Sequence, residues 1–143
     1  MPKRTLSILS AVLIMLATRG QTAGQAAGPD LIQNGAFAEA GERGLARGWS
    51  VSGPMTRASL ESGREGRACQ KLETTGRSVF TLWQDVTVEP NATLYFTAWV
   101  KSGDRVVGRI GPLTMAYTEQ GQWQQLVGLV RTGAAAKLKV EFL

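Results

Sequence analysis

The sequence predicts an all-β domain, built as a sandwich or a barrel, and three observations support this fold class. Short segments alternate apolar and polar residues, as KLKVEF does at 137–142, and period two is typical of a half-buried strand. Turn signals such as Gly53-Pro54 and Gly111-Pro112 separate these segments at intervals of roughly ten residues. No stretch after residue 28 shows a helical period of useful length.

The N-terminal residues 1–28 are predicted to be a secretory signal peptide. Lys3 and Arg4 give a positive start, and the apolar run 6–17 that follows is too short to span a bilayer. Small residues come next, so cleavage is expected between Gly24 and Gly28. The leader is of bacterial type and predicts a secreted or periplasmic protein. An uncleaved anchor or a buried helix is the alternative.

The remaining residues, 29–143, have the length of one domain. An opening segment at 31–37 and an irregular segment at 38–48 precede the strands. Predicted strands cover 49–52, 57–60, 68–74, two runs within 79–103, then 105–110, 113–117, 123–131 and 137–142. Their inward positions predict a core that includes Phe80, Leu82, Val86, Val88, Phe96, Val100, Leu126, Val130, Leu138 and Val140.

The two strands within 79–103 carry the main indication of function. Their even positions are mostly apolar, whereas their odd positions are polar but include three large aromatic residues. An indole can cover the C–H face of a sugar ring while neighbouring polar side chains bind its hydroxyls. The predicted ligand-binding residues are therefore Trp83, Trp99, Tyr95, Asp85, Thr97 and Lys101, with the two tryptophans as the platform.

The arrangement of these residues depends on how the two strands pair. In a hairpin with its loop at 89–93, Trp83 would lie opposite Trp99 and Asp85 opposite Thr97. If the strands instead join opposite sheets, as consecutive strands of jelly rolls often do, the two tryptophans lie on different sides. Both arrangements are compatible with the pattern.

Composition excludes several classes of function. The chain has 16 Lys and Arg and 11 Asp and Glu, but without Lys3, Arg4 and Arg19 of the leader 13 basic residues face 11 acidic ones, a net charge of +2. Such a small, scattered charge does not predict nucleic-acid binding. The chain has no His, so Ser-His and Cys-His catalysis and imidazole metal sites are excluded.

The cysteine and the acidic residues exclude further classes of function. Cys69 is the only cysteine, so no intramolecular disulfide can form, and we expect a buried, small apolar residue there. Asp85 is the only acid of the central strands, whereas glycoside hydrolysis needs two carboxylates across a cleft. We therefore predict that the protein is not an enzyme.

Three groups of motifs, in order, resemble the family 4/9 type (CenC-like) carbohydrate-binding modules. The opening LIQNGAF at 31–37 with Gly48-Trp49 is similar to that family's start, and QDVTVEP at 84–90 followed by LYFTAWVK at 94–101 is similar to its centre. QWQQL at 122–126 resembles a late strand of the family. The resemblance implies a galactose-binding-like jelly-roll sandwich that binds glycans without catalysis, usually beside a secreted glycoside hydrolase.

The chain also departs from that family. Asn91-Ala92 replaces a turn glycine and Leu94 a tyrosine, and Ala36 and Ala38 stand where acids often help to hold a structural calcium. With those acids lost, no cofactor is predicted, and Asp30 and Glu39 are the remaining candidate calcium ligands. The family's final strand, which returns beside the first, is also lacking, so we expect either an unpaired sheet edge or a different closure.

The predicted function is non-catalytic binding of an oligo- or polysaccharide by a secreted, monomeric module, with a separate glycoside hydrolase as partner and no membrane span after cleavage. The alternative is a structural or protein-interaction sandwich of the cell envelope that binds no sugar. The outer face of the central strands distinguishes the two. A shallow groove with aromatic residues on its floor favours sugar, and a flat patch continuous with an open edge favours a protein partner.

Overall fold

The computed structural model describes residues 3–16, 30–54, 57–75 and 79–143. The strands are β1 Lys3–Leu16, β2 Ser50–Ser52, β3 Arg57–Ser62, β4 Ala68–Thr75, β5 Thr81–Thr87, β6 Thr93–Ser102, β7 Val106–Ile110, β8 Leu113–Tyr117, β9 Gln124–Arg131 and β10 Lys137–Phe142. Within the described ranges the only other regular structure is two 3-10 turns, Glu42–Gly44 and Arg64–Gly66. The all-β prediction is confirmed.

The strands of the described residues form two antiparallel sheets of five strands. Sheet I has the order β3-β4-β1-β6-β9, and sheet II has the order β2-β5-β10-β7-β8. Apolar side chains of both sheets meet in one core, where for example the rings of Phe96 in sheet I and Phe142 in sheet II lie 6.2 Å apart. The molecule is thus a β-sandwich.

The predicted core is confirmed because strand alternation is strict. In β6 each even-numbered residue is buried, while the odd-numbered ones are partly or fully exposed. All ten residues predicted to be inward are buried: Phe80, Leu82, Val86, Val88, Phe96, Val100, Leu126, Val130, Leu138 and Val140. The remaining predicted strands also form, each within one or two residues of its predicted ends.

The hairpin interpretation of β5 and β6 is wrong, because the two strands belong to different sheets. The connection between them crosses from one sheet to the other and is held by the 132–133 loop. There the Ala92 N–H donates to Thr132 Oγ1 at 2.9 Å, and the Asn91 N–H donates to the Gly133 carbonyl at 2.6 Å. Asn91 takes the left-handed conformation with φ 57°, which asparagine tolerates better than most residues.

Two buried glutamines fasten the irregular opening segment to the sheets. Gln84 of β5 accepts the Gln33 N–H at 2.7 Å and donates to the carbonyls of Gln33 and Gly48 at 2.9 and 3.0 Å. Gln70 of β4 accepts the Ala46 N–H at 2.6 Å and donates to the carbonyls of Gly44 and Ser59, both at 3.0 Å. Both amides are satisfied, which removes the penalty that a buried polar group otherwise carries.

The segment predicted to be a leader contributes a strand to this fold. β1 lies in the middle of sheet I, hydrogen-bonded to β4 on one side and to β6 on the other. Leu6 and Ile8 point into the core and are buried. This differs from the expectation that residues 1–28 stand outside the fold. The predicted cleavage region, 24–28, lies outside the described residues, and cleavage itself stays a prediction.

Candidate functional site

The outer face of sheet I carries four of the six predicted ligand-binding residues. Tyr95, Thr97, Trp99 and Lys101 all belong to β6, where alternation directs them away from the core. They form a row along a central strand of the sheet, flanked by β1 and β9. A single extended strand therefore places two aromatic rings, a hydroxyl and an ammonium group on one surface.

The remaining two predicted residues lie on the opposite side of the sandwich. Trp83 and Asp85 belong to β5 and face outward from sheet II. The Trp83 Nε1–H donates to Ser52 Oγ at 3.0 Å, and Lys139 Nζ lies 4.6 Å from the centre of the Trp83 ring. The six residues thus form two separate surfaces, and the expected Trp83–Trp99 platform is wrong.

A hollow adjoins Lys101 on the outer face of sheet I, and we call it the Lys101 hollow. It has a volume of about 360 Å³. It is lined by Thr5, Ser7, Glu61, Ser62, Gly63, Cys69, Lys71, Lys101, Ser102, Gly103, Gly121 and Trp123. Ser7 pairs with Lys71 on one side and with Lys101 on the other, so two ammonium groups flank one hydroxyl across three neighbouring strands.

The charges of the hollow are only partly compensated. Lys71 Nζ lies 3.4 Å from Glu61 and 3.8 Å from Glu73, whereas Lys101 forms no ion pair with any described residue. A hydrogen bond from the Ser59 hydroxyl and the nearby Lys71 together lower the pKa of Glu61 below its ordinary value. Two cations thus face Glu61 in the lining and Glu73 just outside it, and Lys101 is the cation of the hollow that no described carboxylate pairs with.

Trp99 lies two residues before Lys101 on the same face of β6 but does not line the hollow, and a cation covers one face of its ring. The guanidinium carbon of Arg64 lies 3.9 Å from the centre of the Trp99 ring. Arg64 also pairs with Glu65 at 3.2 Å in the exposed turn at Arg64–Gly66. A ligand that stacks on this face of Trp99 must displace Arg64 or bind beside it.

The far end of the same face is apolar. Val127 and Leu129 of β9 are 48% and 59% exposed, and they pair with Thr97 and Tyr95 of β6. Gln125 on the same strand donates from Nε2 to Thr97 Oγ1 at 2.8 Å. The surface thus changes from polar around Lys101 to apolar around Tyr95.

Sequence reasoning missed several residues of this surface: Arg64, Lys71, Glu61, Trp123, Val127 and Leu129. Val127 and Leu129 could have been found, because inward Leu126 and Val130 on the same strand fix their neighbours as outward. The others come from β3, β4 and two loops. Only the sheet order brings those elements next to β6, and no local pattern in the sequence indicates that order.

Cys69 lines the hollow but is itself buried and has a free thiol. Burial is the main cause that raises the pKa of this thiol, and the negative charge of Glu61 adds to the effect. The expectation of a buried, small apolar residue is confirmed. A thiol held in its neutral form is a poor nucleophile.

The candidate calcium ligands are engaged within the opening segment. Asp30 Oδ1 accepts the Ile32 N–H at 3.0 Å, and Glu39 lies 3.4 Å from Arg47. The Asn34 side-chain amide donates to the carbonyls of Glu39 and Arg47, at 2.8 and 3.0 Å, which occupies oxygens that a cation would otherwise use. Among the described residues no three acidic, Cys or His side chains come together as a metal site.

A second hollow lies along the loop at 40–51 and has a volume of about 690 Å³. It is larger than the Lys101 hollow, but its single aromatic residue, Trp49, is buried and packs on Phe37 and Phe142 in the core. The Trp49 ring is therefore not available to a ligand. This loop hollow therefore offers a ligand no exposed aromatic ring among its lining residues.

The chain matches no protein-family model, no curated protein sequence and no solved structure. In the part of the chain that the structure describes, no helix is long and apolar enough to cross a membrane. Its function is therefore inferred from its own residues.

Proposed function

We propose that the outer face of sheet I binds an oligo- or polysaccharide without catalysis, as part of a secreted or periplasmic module. One observation carries this proposal. Tyr95, Thr97, Trp99 and Lys101 share one outward face of β6, and a hollow of about 360 Å³ adjoins this row at Lys101. That volume falls in the range of small-ligand sites, which is about 300–1,000 Å³.

The chemistry of the face suits a sugar. A pyranose ring has an apolar C–H face and a rim of hydroxyls, so it needs an aromatic surface beside both donors and acceptors. Trp123 supplies an indole ring in the wall of the hollow, and Trp99 supplies a second one on the neighbouring part of the same outer face. Lys101 and Lys71 donate and Glu61 accepts, and in the full chain Ser7 of β1 can do both. Lys101, which forms no ion pair with any described residue, favours glycans that carry carboxylates.

The resemblance to family 4/9 carbohydrate-binding modules supports the same function. We include in the proposal the jelly-roll, galactose-binding-like arrangement, which the order of strands from β4 onwards supports. A module of this kind needs no catalytic residue. It raises the local concentration of a partner glycoside hydrolase on the polymer that both bind.

A screen of the full chain against polysaccharides tests this function. The chain is run through gels that contain neutral β-glucans, xylan or uronic-acid polymers, with a non-binding protein of similar size as the reference. We expect retardation by at least one polymer, strongest for an acidic one. Unretarded migration in every gel, by a chain that circular dichroism shows to be folded, would contradict glycan binding.

The second candidate, a protein-interaction sandwich, is favoured by the apolar end of the same face. Val127 and Leu129 are exposed on the edge strand β9, whose outer side pairs with no strand of the described residues. Exposed apolar residues on an open edge are typical of strand-to-strand contacts. Sedimentation analysis of the full chain and of the Leu129→Ser variant tests this candidate. If a protein contact forms through this edge, the sedimenting mass should be lower for the variant than for the original chain.

A further inference from the structure

β1 fills the position between β4 and β6 in sheet I, and residues 17–29 connect it to the following part of the chain. β1 pairs with β4 through residues 3–8 and with β6 through residues 6–16, interrupted by an irregularity after Leu9. We call the position between these two neighbours the β4–β6 slot. β1 is antiparallel to both of them, so its backbone satisfies the facing edges of two strands at once.

The slot sets clear requirements for the strand that fills it. Leu6 of β1 pairs with Leu72, and Ile8 pairs with Val100. The side chains of Leu6 and Ile8 point inward and are only 3% and 0% exposed. The alternate residues Thr5 and Ser7 face outward and form part of the Lys101 hollow. Along residues 5–8 a suitable occupant is thus extended, with apolar side chains at the two inward positions and small polar ones at the two outward positions.

The slot does not readily close when it is empty. Strands that flank a single missing strand lie about 9–10 Å apart, twice the usual spacing. β6 is held in place by its packing on sheet II, where Phe96 contacts Phe142 with ring centres 6.2 Å apart. Removal of β1 would therefore leave two rows of unpaired backbone groups and an uncovered part of the core around Leu72 and Val100.

The sequence of β1 is also that of a secretory leader. If the leader is removed as predicted, the mature sandwich lacks the strand that completes sheet I. A second copy of the chain could not replace it. Its described strands are already paired in its own sheets, and its residues 3–16 would be removed with its own leader.

We propose that the β4–β6 slot is a strand-binding site for a partner protein. In the precursor the chain's own residues 3–16 occupy it. After export, an extended arm of the partner, with alternating apolar residues, takes the same position by antiparallel strand addition. The arriving strand also supplies the floor of the Lys101 hollow between Lys71 and Lys101, so the partner completes the proposed ligand site.

The test cuts the connection after folding, so that every variant starts from the folded full chain. A protease site is introduced within residues 17–29, the chain is folded, and the site is then cleaved. Native mass spectrometry is expected to show the excised N-terminal piece still bound, without a covalent link. Excess labelled peptide with the sequence of residues 3–16 should then exchange into the complex, which fluorescence anisotropy records.

Two control peptides define the specificity of the slot. A peptide with Leu6→Asp and Ile8→Asp should bind more than about tenfold more weakly, because it would bury two charges. A peptide with Leu6→Val and Ile8→Val should bind within about tenfold of the original, since the slot recognises alternation and not one sequence. Equal binding of the Asp peptide would overturn the proposal. So would a cleaved protein that releases the piece, keeps its melting temperature and takes up no peptide.

Discussion

At the scale of single residues, each of the two predicted platform tryptophans has a cation against its ring. Arg64 lies on Trp99 and Lys139 on Trp83, with 3.9 and 4.6 Å to the ring centres. Exposed cation–π contacts contribute about 0.5–1 kcal/mol, which is small beside the 1–3 kcal/mol by which a stacking aromatic contributes to binding. A sugar can therefore displace Arg64, and Trp99 remains usable as a stacking surface.

Residue-scale predictions from the sequence succeeded where one strand decides the outcome. Alternation along β6 predicted an outer face that carries Tyr95, Thr97, Trp99 and Lys101. Alternation along β5 places Gln84 inward in the same way. The reason for an inward glutamine was not visible, because its partners at Gln33 and Gly48 come from the opening segment. Long-range hydrogen bonds of this kind leave no local pattern.

Cys69 gives a prediction at this scale. Burial raises the pKa of its thiol, so the reactive thiolate fraction at neutral pH is smaller than that of a free cysteine. We expect iodoacetamide to label the folded chain much more slowly than the chain in urea, with a rate that rises as the pH is increased. Mass spectrometry of timed samples measures this difference. Equal labelling rates with and without urea would contradict a buried thiol.

At the scale of elements, the ends of the strands were predictable but their partners were not. An inward apolar face looks the same in either sheet of a sandwich, so the pattern of β5 and β6 could not tell a hairpin from a crossover. The turn residues at 89–92 are compatible with a hairpin and with a crossover. The crossover is stabilised by Thr132, whose Oγ1 accepts the Ala92 N–H and donates to the Glu89 carbonyl at 2.7 Å. Thr132 is 40 or more residues away in sequence from both partners.

The contribution of β6 to the core can be measured. Phe96 is fully buried and packs against Phe142 of the other sheet. Phe96→Ala should lower the free energy of unfolding by roughly 3–5 kcal/mol, a large share of the stability of a domain of this size. Urea denaturation measures the loss. Thr97→Ala, the outward neighbour, is the matched control and should change stability by less than about 1 kcal/mol. Equal losses for both variants would contradict the alternation of β6.

At the scale of the whole molecule, the two faces of the sandwich differ in what they offer a ligand. The outer face of sheet I has Trp99 on β6 and Trp123 in the wall of the Lys101 hollow, whereas the outer face of sheet II offers Trp83 and Asp85. The sequence predicted the sandwich and the outward residues but left open whether these residues lie on one face or on two. The order of strands, which separates them, arises from packing of the whole chain.

The N-terminal segment is a second case in which one sequence pattern is compatible with two structures. An apolar run with a positive start satisfies the requirements of a leader and, through Leu6 and Ile8, those of an inner strand. We predict that the exported protein in its native host starts between Gly24 and Asp30, with the leader removed. N-terminal mass spectrometry of the secreted material measures this start. A retained Met1 would contradict removal, and β1 would then be a permanent strand of sheet I.

The most direct test of the proposed glycan site compares its tryptophan with the one on the opposite face. Trp99→Ala and Trp83→Ala each remove an outward indole from a central part of the sandwich, so they are matched in chemistry and differ in face. Calorimetric titration with the best-retained polysaccharide should show that Trp99→Ala weakens binding by about 1–3 kcal/mol, while Trp83→Ala leaves it unchanged. Unchanged binding by a folded Trp99→Ala variant, or a loss confined to Trp83→Ala, would contradict a glycan site on the outer face of sheet I.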